Sequence, residues 1–208
     1  MSSSNLIRWS GLSALVGGIL LAVLDVLEFV AYGGQADSVA AGTGAFLYVN
    51  VFYILAIVLI FLGLVGLYAR QAEQAGTLGV IAFVVAVTGM VLMSGLQWST
   101  LTFAPWLAEV APEIMDSEPT GLPAAMFMIT LALFALGWLL FGIASLQTRI
   151  LNRGASILMI IGAIILFVGF LMVIPVGATI IFDAALAWMG YGLWSVPRES
   201  ASMAEQAA

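Results

Sequence analysis

Three carboxyl groups in otherwise apolar stretches are the residues with chemistry to offer. Asp25 and Glu28 close the run that begins at Ala14, and Asp183 sits in Ile-Ile-Phe-Asp-Ala-Ala-Leu. A charged side chain near the middle of a bilayer costs at least ~2.5–3.5 kcal/mol, so such a residue has a partner, water or a task. On a helix, Gly11, Ala14, Gly18, Ala22, Asp25 and Glu28 fall within an arc of about 120°, while bulky Leu15, Ile19 and Val26 lie mostly elsewhere. Small residues four apart let neighbouring backbones approach closely. The two acids are therefore expected on a packed face, turned from lipid. Thr179, Ala187, Gly190 and Trp194 share the face of Asp183, at helical spacings. Asp183 lies about seven residues, or ~10 Å, from the near end of its apolar run. Asp25 lies at a similar depth in its own. The polar neighbours on offer are Asn50, Gln97 and Thr130. The candidate proton, cation or ligand site is thus Asp25, Glu28, Asn50, Gln97 and Asp183.

The elements that must position these groups read as membrane spans. The 208 residues are 63% hydrophobic and 8% charged, with mean hydropathy +1.19. A soluble domain carries about 25% charged residues, so the deficit assigns the chain to the membrane class. An all-α fold is expected, a single membrane domain over 1–208 with six transmembrane helices at about 9–31, 46–69, 77–98, 122–146, 154–173 and 176–194. The first apolar region is too long for the ~7–15 residues of a signal-peptide core and ends in two acids, so it is read as a retained helix. Residues 32–44 read as a flexible loop, 70–76 and 147–153 as polar turns, and Pro175 and Gly177 as a tight turn. The stretch 99–121 carries Pro105, Pro112 and Pro119, which bar one continuous helix through it. Its Phe103, Trp106, Leu107, Val110 and Ile114 recur at helical spacing opposite Glu109, Glu113, Asp116 and Glu118, which suggests a short helix in the outer membrane interface. The tail from Pro197 is polar and small.

Six spans put both termini on one side, and the charges supply an independent argument. All five basic residues, Arg8, Arg70, Arg149, Arg153 and Arg198, fall on the side of the termini. The opposite connections carry Asp37, Glu109, Glu113, Asp116 and Glu118 and no cation. By the positive-inside rule both termini are cytoplasmic and the location is the cell membrane. Trp9 and Trp194 then sit at the inner boundary, Trp98 and Trp106 at the outer. A parallel repeat of the two hairpins around Gly63 and Gly137 is conceivable, but small residues recur in any helical membrane protein, and that second reading is preferred.

The same census removes whole classes of chemistry. With no Cys and no His, thiol chemistry, Cys/His metal sites and His-ligated haem are excluded. With no Lys there is no Schiff base to retinal or pyridoxal. A net charge of −6 argues against nucleic acid. No nucleotide-binding glycine motif and no calcium-loop pattern is present, so no cofactor and no metal is assigned, and the four acids of 99–121 read as a solvated face. Since every cation lies on the inner side, Asp25, Glu28 and Asp183 have no internal counter-ion. They must be protonated, hydrogen-bonded to neutral groups, wetted, bound to a cation, or paired with a ligand or partner chain.

The endings Gly66-Leu-Tyr-Ala-Arg70 and Ala187-Trp-Met-Gly-Tyr-Gly-Leu-Trp-Ser195 give the chain a resemblance to the small uncharacterised six-helix integral membrane proteins of prokaryotes. The resemblance implies six helices, no agreed activity and no transferable site residues. Two functions follow as expectations. The first is non-catalytic: an accessory or structural subunit, or a small bundle that binds lipid or an apolar ligand, with the bilayer and partner subunits or further copies of itself as partners. There the acids are glue between helices, at ~0.6 kcal/mol per interhelical hydrogen bond. The alternative is a carboxylate-based proton or cation transporter using Asp25 and Asp183. An intramembrane enzyme is the weakest reading.

Overall fold

The computed structural model describes residues 3–172 and 179–195, whose regular structure is all helical. The elements are α1 (Ser3–Tyr32), α2 (Asp37–Ala41), α3 (Gly44–Val110), α4 (Pro112–Met115), α5 (Gly121–Thr148), α6 (Arg153–Met172) and α7 (Thr179–Trp194). Three stretches, Asn5–Tyr32, Gly44–Val110 and Gly121–Thr148, are long and apolar enough to cross a membrane, and Arg153–Gly169 is a shorter apolar helix. The turn expected at Pro175 and Gly177, the span ends beside it, Arg198 and the tail from Pro197 lie outside the described residues.

The 67 residues of α3 form a helical hairpin. The chain reverses at Gly76, whose φ of 53° and ψ of −150° belong to a region that only glycine enters without strain. Across the reversal the rings of Tyr68 and Phe83 stack with centroids 4.2 Å apart. The polar turn expected over 70–76 is therefore helical nearly throughout, and one glycine does the turning. The limbs are 44–75 and 77–110. The first is capped by Thr43, whose hydroxyl accepts the Phe46 N–H at 3.2 Å. The second runs through Pro105 to Val110, beyond the span end expected near residue 98, and the break within 99–121 comes at Ala111. Pro105 removes one N–H and frees one carbonyl close to the helix end, where few turns remain to be disturbed. Only the single turn α4 stands apart as a helix of its own, opened by Pro112. A second correction concerns 32–44. The loop contains α2, with Ala40 and Ala41 buried.

Packing follows the small residues. α1 lies between the first limb of α3 and α7. Gly63 faces Ala14, Gly66 faces Ser10, and Gly11, Gly18 and Gly190 form the α1–α7 seam. The second limb meets α5 where Gly137 lies on the backbone of Ala86 and Gly89 on that of Phe134. Gly142 joins α5 to α6, and Gly162 joins α6 to Phe182 of α7. Six long helical segments thus close into a ring around Trp138, Phe141, Phe182, Leu64, Met90 and Met159, all buried. Trp138 meets Phe182 edge-on at 5.5 Å and Phe141 at 5.9 Å, a favoured aromatic geometry. The outward faces are equally apolar, with Val23, Phe52, Leu55, Val84, Val91 and Ile164 each exposed. An oily exterior around an oily core is the pattern of a protein solvated by lipid.

The two ends differ in charge. Arg8 lies over the Trp194 ring, 5.7 Å from its centroid, at the end that also carries the α3 reversal and the α5–α6 turn with Arg70, Arg149 and Arg153. Arg149 ends α5 in the left-handed conformation at φ 58°, and Asn152 Oδ1 accepts the N–H of Gly154 at 2.8 Å to open α6. Buried Gln71 donates to Ser145 Oγ at 3.0 Å and accepts from Thr148 Oγ1 at 3.2 Å, tying the first limb to α5.

The close seams give a direct test. Gly137→Leu forces the second limb of α3 away from α5, at a cost of about 1–3 kcal/mol, whereas Gly95 has open space beside it. Thermal unfolding in detergent is expected to show a lower midpoint for Gly137→Leu and an unchanged one for Gly95→Leu. Equal midpoints would remove the α3–α5 contact.

Candidate functional site

Asp25, Glu28 and Asp183 come together at the end of the ring opposite Arg8, Arg70, Arg149 and Arg153. The α1–α7 seam aligns them. Gly18 lies against the Asp183 carbonyl and Ala187, and Gly190 against the backbone of Leu15 and the Gly11 carbonyl. With backbones this close, side chains further along α1 meet the start of α7 directly. Asp25, half-buried, accepts from Thr179 Oγ1 through its Oδ2. Its carboxyl neighbours that of Asp183.

The first limb of α3 adds Tyr53, which the sequence reading did not select. Its hydroxyl is 2.6 Å from Asp25 Oδ1 and 2.7 Å from Glu28 Oε2, so one phenol bridges both acids of α1. Glu28 itself is exposed on the outer face of α1. The cluster is a short chain of groups, Asp183–Asp25–Tyr53–Glu28, that leads from the packed seam to the surface. Tyr53 was detectable in principle. An i to i+3 pair of acids on a packed face calls for a donor opposite, and Tyr48 and Tyr53 are the two phenols in the first ten residues of α3.

Asn50 and Gln97 form a separate pair. Gln97 Nε2 donates to Asn50 Oδ1 at 2.5 Å, and Asn50 Nδ2 donates to the Phe46 carbonyl at 2.8 Å. They join the two limbs of α3 and bond to one another and to the Phe46 carbonyl rather than to the acids. Thr130 bonds within its own helix, to the Met126 carbonyl at 2.9 Å.

Asp183 is the most secluded member, 2% exposed, and its Oδ2 finds no conventional donor. It lines an apolar groove of about 570 Å³ between α1 and α7, with Gly18, Ala22, Val26, Ile180 and Ala184 among the walls. Val26, Ile19 and Val23 on its rim are exposed to the surroundings of the bundle, so the groove opens sideways. A space of this size matches a drug-sized molecule. Among the described residues no group of three acids is arranged to hold a metal ion.

The outer end is closed by α2 and α4, which pack with Tyr32, Phe46 and Val49 and lie beside Tyr53, Ala104 and Ala108. Of the outer acids, Asp116 is engaged. It accepts the Ser38 N–H through Oδ1 at 2.8 Å and the Ser38 hydroxyl through Oδ2 at 2.7 Å. These two bonds, the backbone one first, hold its carboxyl below the usual aspartate range. Glu109, Glu113 and Glu118 are read as part of a solvated outer face.

No family model, no curated protein and no solved structure matches this chain.

Because the Asp116 pKa is lowered in the fold, its tie to α2 is intact above the pKa of a free aspartate. The tie is lost as pH falls through the lowered value. Hydrogen exchange is expected to show reduced protection at the Ser38 amide in Asp116→Ala at neutral pH, with the wild type following only in strong acid. Unchanged protection in the variant would remove the tie.

Proposed function

We propose that the chain is a non-catalytic, six-span protein of the cell membrane, with both termini cytoplasmic, that takes an apolar ligand or lipid into the α1–α7 groove. The observation that carries this reading is the groove itself: about 570 Å³, walled by apolar side chains, open on a face built for lipid and in contact with a buried acid. The ring of helices supports the six spans. Each limb of α3 exceeds 30 residues, enough at 1.5 Å per residue to cross the ~30 Å hydrocarbon core and project beyond it. The gathering of Arg8, Arg70, Arg149 and Arg153 at one end supports the cytoplasmic placement of that end. The alternative, proton or cation transport through Asp25 and Asp183, is favoured by the convergence of the acids. A hydrated ion, however, requires a polar path, and the groove walls are apolar.

Two measurements test this. Cysteine placed at exposed Ser117 is expected to react with an impermeant reagent from outside the cell, and cysteine at Gln74 only after permeabilisation; the reverse pattern would invert the topology. Ala184 is exposed and lines the groove, so Ala184→Trp fills the space without entering the core. Native mass spectrometry from the cell's own membrane is expected to find a small hydrophobic adduct on the wild type and none on Ala184→Trp. Equal adducts on both would exclude the groove as the binding site.

A further inference from the structure

We infer that the occupant of the groove is a lipophilic amine, bound as its ammonium ion against Asp183 in exchange for a proton held between Asp183 and Asp25. The inference rests on the groove being a ligand site and adds the chemistry of the ligand. Its first ground is the unsatisfied carboxyl oxygen. Asp183 lines the groove, and one of its carboxyl oxygens, Oδ2, is buried without a donor; a buried acceptor left unpaired is costly. Its second ground is the charge census. The chain has no Lys and no His, and Arg8, Arg70, Arg149 and Arg153 lie at the opposite end. Elements packed around the site bring only acids and neutral groups: Asp25 and Glu28 from α1 and Tyr53 from α3, while α5 carries no ionisable side chain and α6 only the distant Arg153. Among the described residues no cation is in reach of Asp183, so on this reading the ligand brings the cation that pairs with it. Its third ground is the entrance. The groove is reached from lipid through Ile19, Val23 and Val26, which selects molecules that dissolve in lipid and rejects hydrated metal ions.

The hydrogen bonds count the protons. Three hydrogen bonds link the cluster: Thr179–Asp25, Tyr53–Asp25 and Tyr53–Glu28. The two hydroxyl groups supply one proton each. The third bond needs a proton from a carboxyl group, and on this inference one more lies between the neighbouring carboxyls of Asp25 and Asp183. Exchange then balances. The ammonium N–H donates to Asp183 Oδ2, the proton shared with Asp25 passes through the Tyr53 hydroxyl to exposed Glu28 and leaves to the outer solution, and the charge of the cluster with its ligand is unchanged.

The test uses the full-length protein in nanodiscs with two probes of the same shape, dimethyl(1-naphthylmethyl)amine and the neutral 1-naphthylmethanol. Calorimetry in buffers of different ionisation enthalpy is expected to show the ammonium form of the amine binding with release of about one proton. Its affinity is expected to weaken about tenfold per unit of pH lowered through the range where the cluster takes up that proton. The alcohol is expected to bind at least tenfold more weakly, and Asp183→Asn to lose the preference for the amine. Equal binding of both probes without proton release, abolished by Ala184→Trp, would overturn the amine and leave the groove as a neutral lipid site. Binding of neither probe, or binding that Ala184→Trp does not alter, would overturn both. The proton release is read on the wild type, so the inference stays testable if Asp183→Asn does not fold.

Discussion

The close approach of the α1 and α7 backbones is the constraint on which the rest depends. Gly11 and Gly18 on one side and Gly190 on the other leave no room for a Cβ between the helices. In lipid there is no hydrophobic force to draw two apolar helices together, so their association rests on van der Waals packing and on polar contacts. The glycines supply the packing at the arginine-bearing half of the seam. Past Gly18 the spacing they set brings Asp25 beside Thr179 and Asp183. A larger residue at Gly190 would separate the acids without touching either one.

That arrangement resolves a conflict in the chain. Acids drawn together in an apolar bundle, with no cation in reach among the described residues, cannot all be ionised at low energy. The cluster meets the constraint with donors on neutral groups, Thr179 and Tyr53. Glu28 sits at the exposed end of the series, where it exchanges with water, and Asp183 sits at the closed end, where it does not. A gradient of exposure along a connected set of groups gives a proton a direction in which to leave.

Much of this was legible in the sequence, for physical reasons. The helical periodicity of small residues marked the packed face of α1, and the same periodicity placed Thr179 on the face of Asp183. Charge asymmetry separated the two ends, because arginine is expensive anywhere else in a bilayer. What was not legible came from contacts between distant segments. Asn50 and Gln97 sit at suitable depths for the acid cluster, yet they satisfy one another across the α3 hairpin, a choice fixed by the reversal at Gly76. Pro105 was read as a helix breaker, whereas near a helix end it removes one bond and the helix continues. The 32–44 segment looked flexible by composition, but Asp116, 78 residues away from Ser38, pins it. Nothing local announces such a tie.

Comparison of the polar groups inside the bundle points to where function resides. Gln71, Ser145 and Thr148 close one network, and Asn50 and Gln97 close another; each is neutral, and its bonds join helices. Such satisfied networks explain themselves as structure. Trp138 Nε1 lacks an oxygen partner, but it is neutral and its ring is enclosed by those of Phe134, Phe141 and Phe182. Asp183 differs from all of these. It is ionisable, it is left with an acceptor unfilled, and it borders an open groove. For structural glue alone, an asparagine or serine at 183 would bind Asp25 at a lower cost of burial than an acid does. An acid at that position, facing lipid across an apolar groove, is better explained by a positively charged partner that arrives through the membrane.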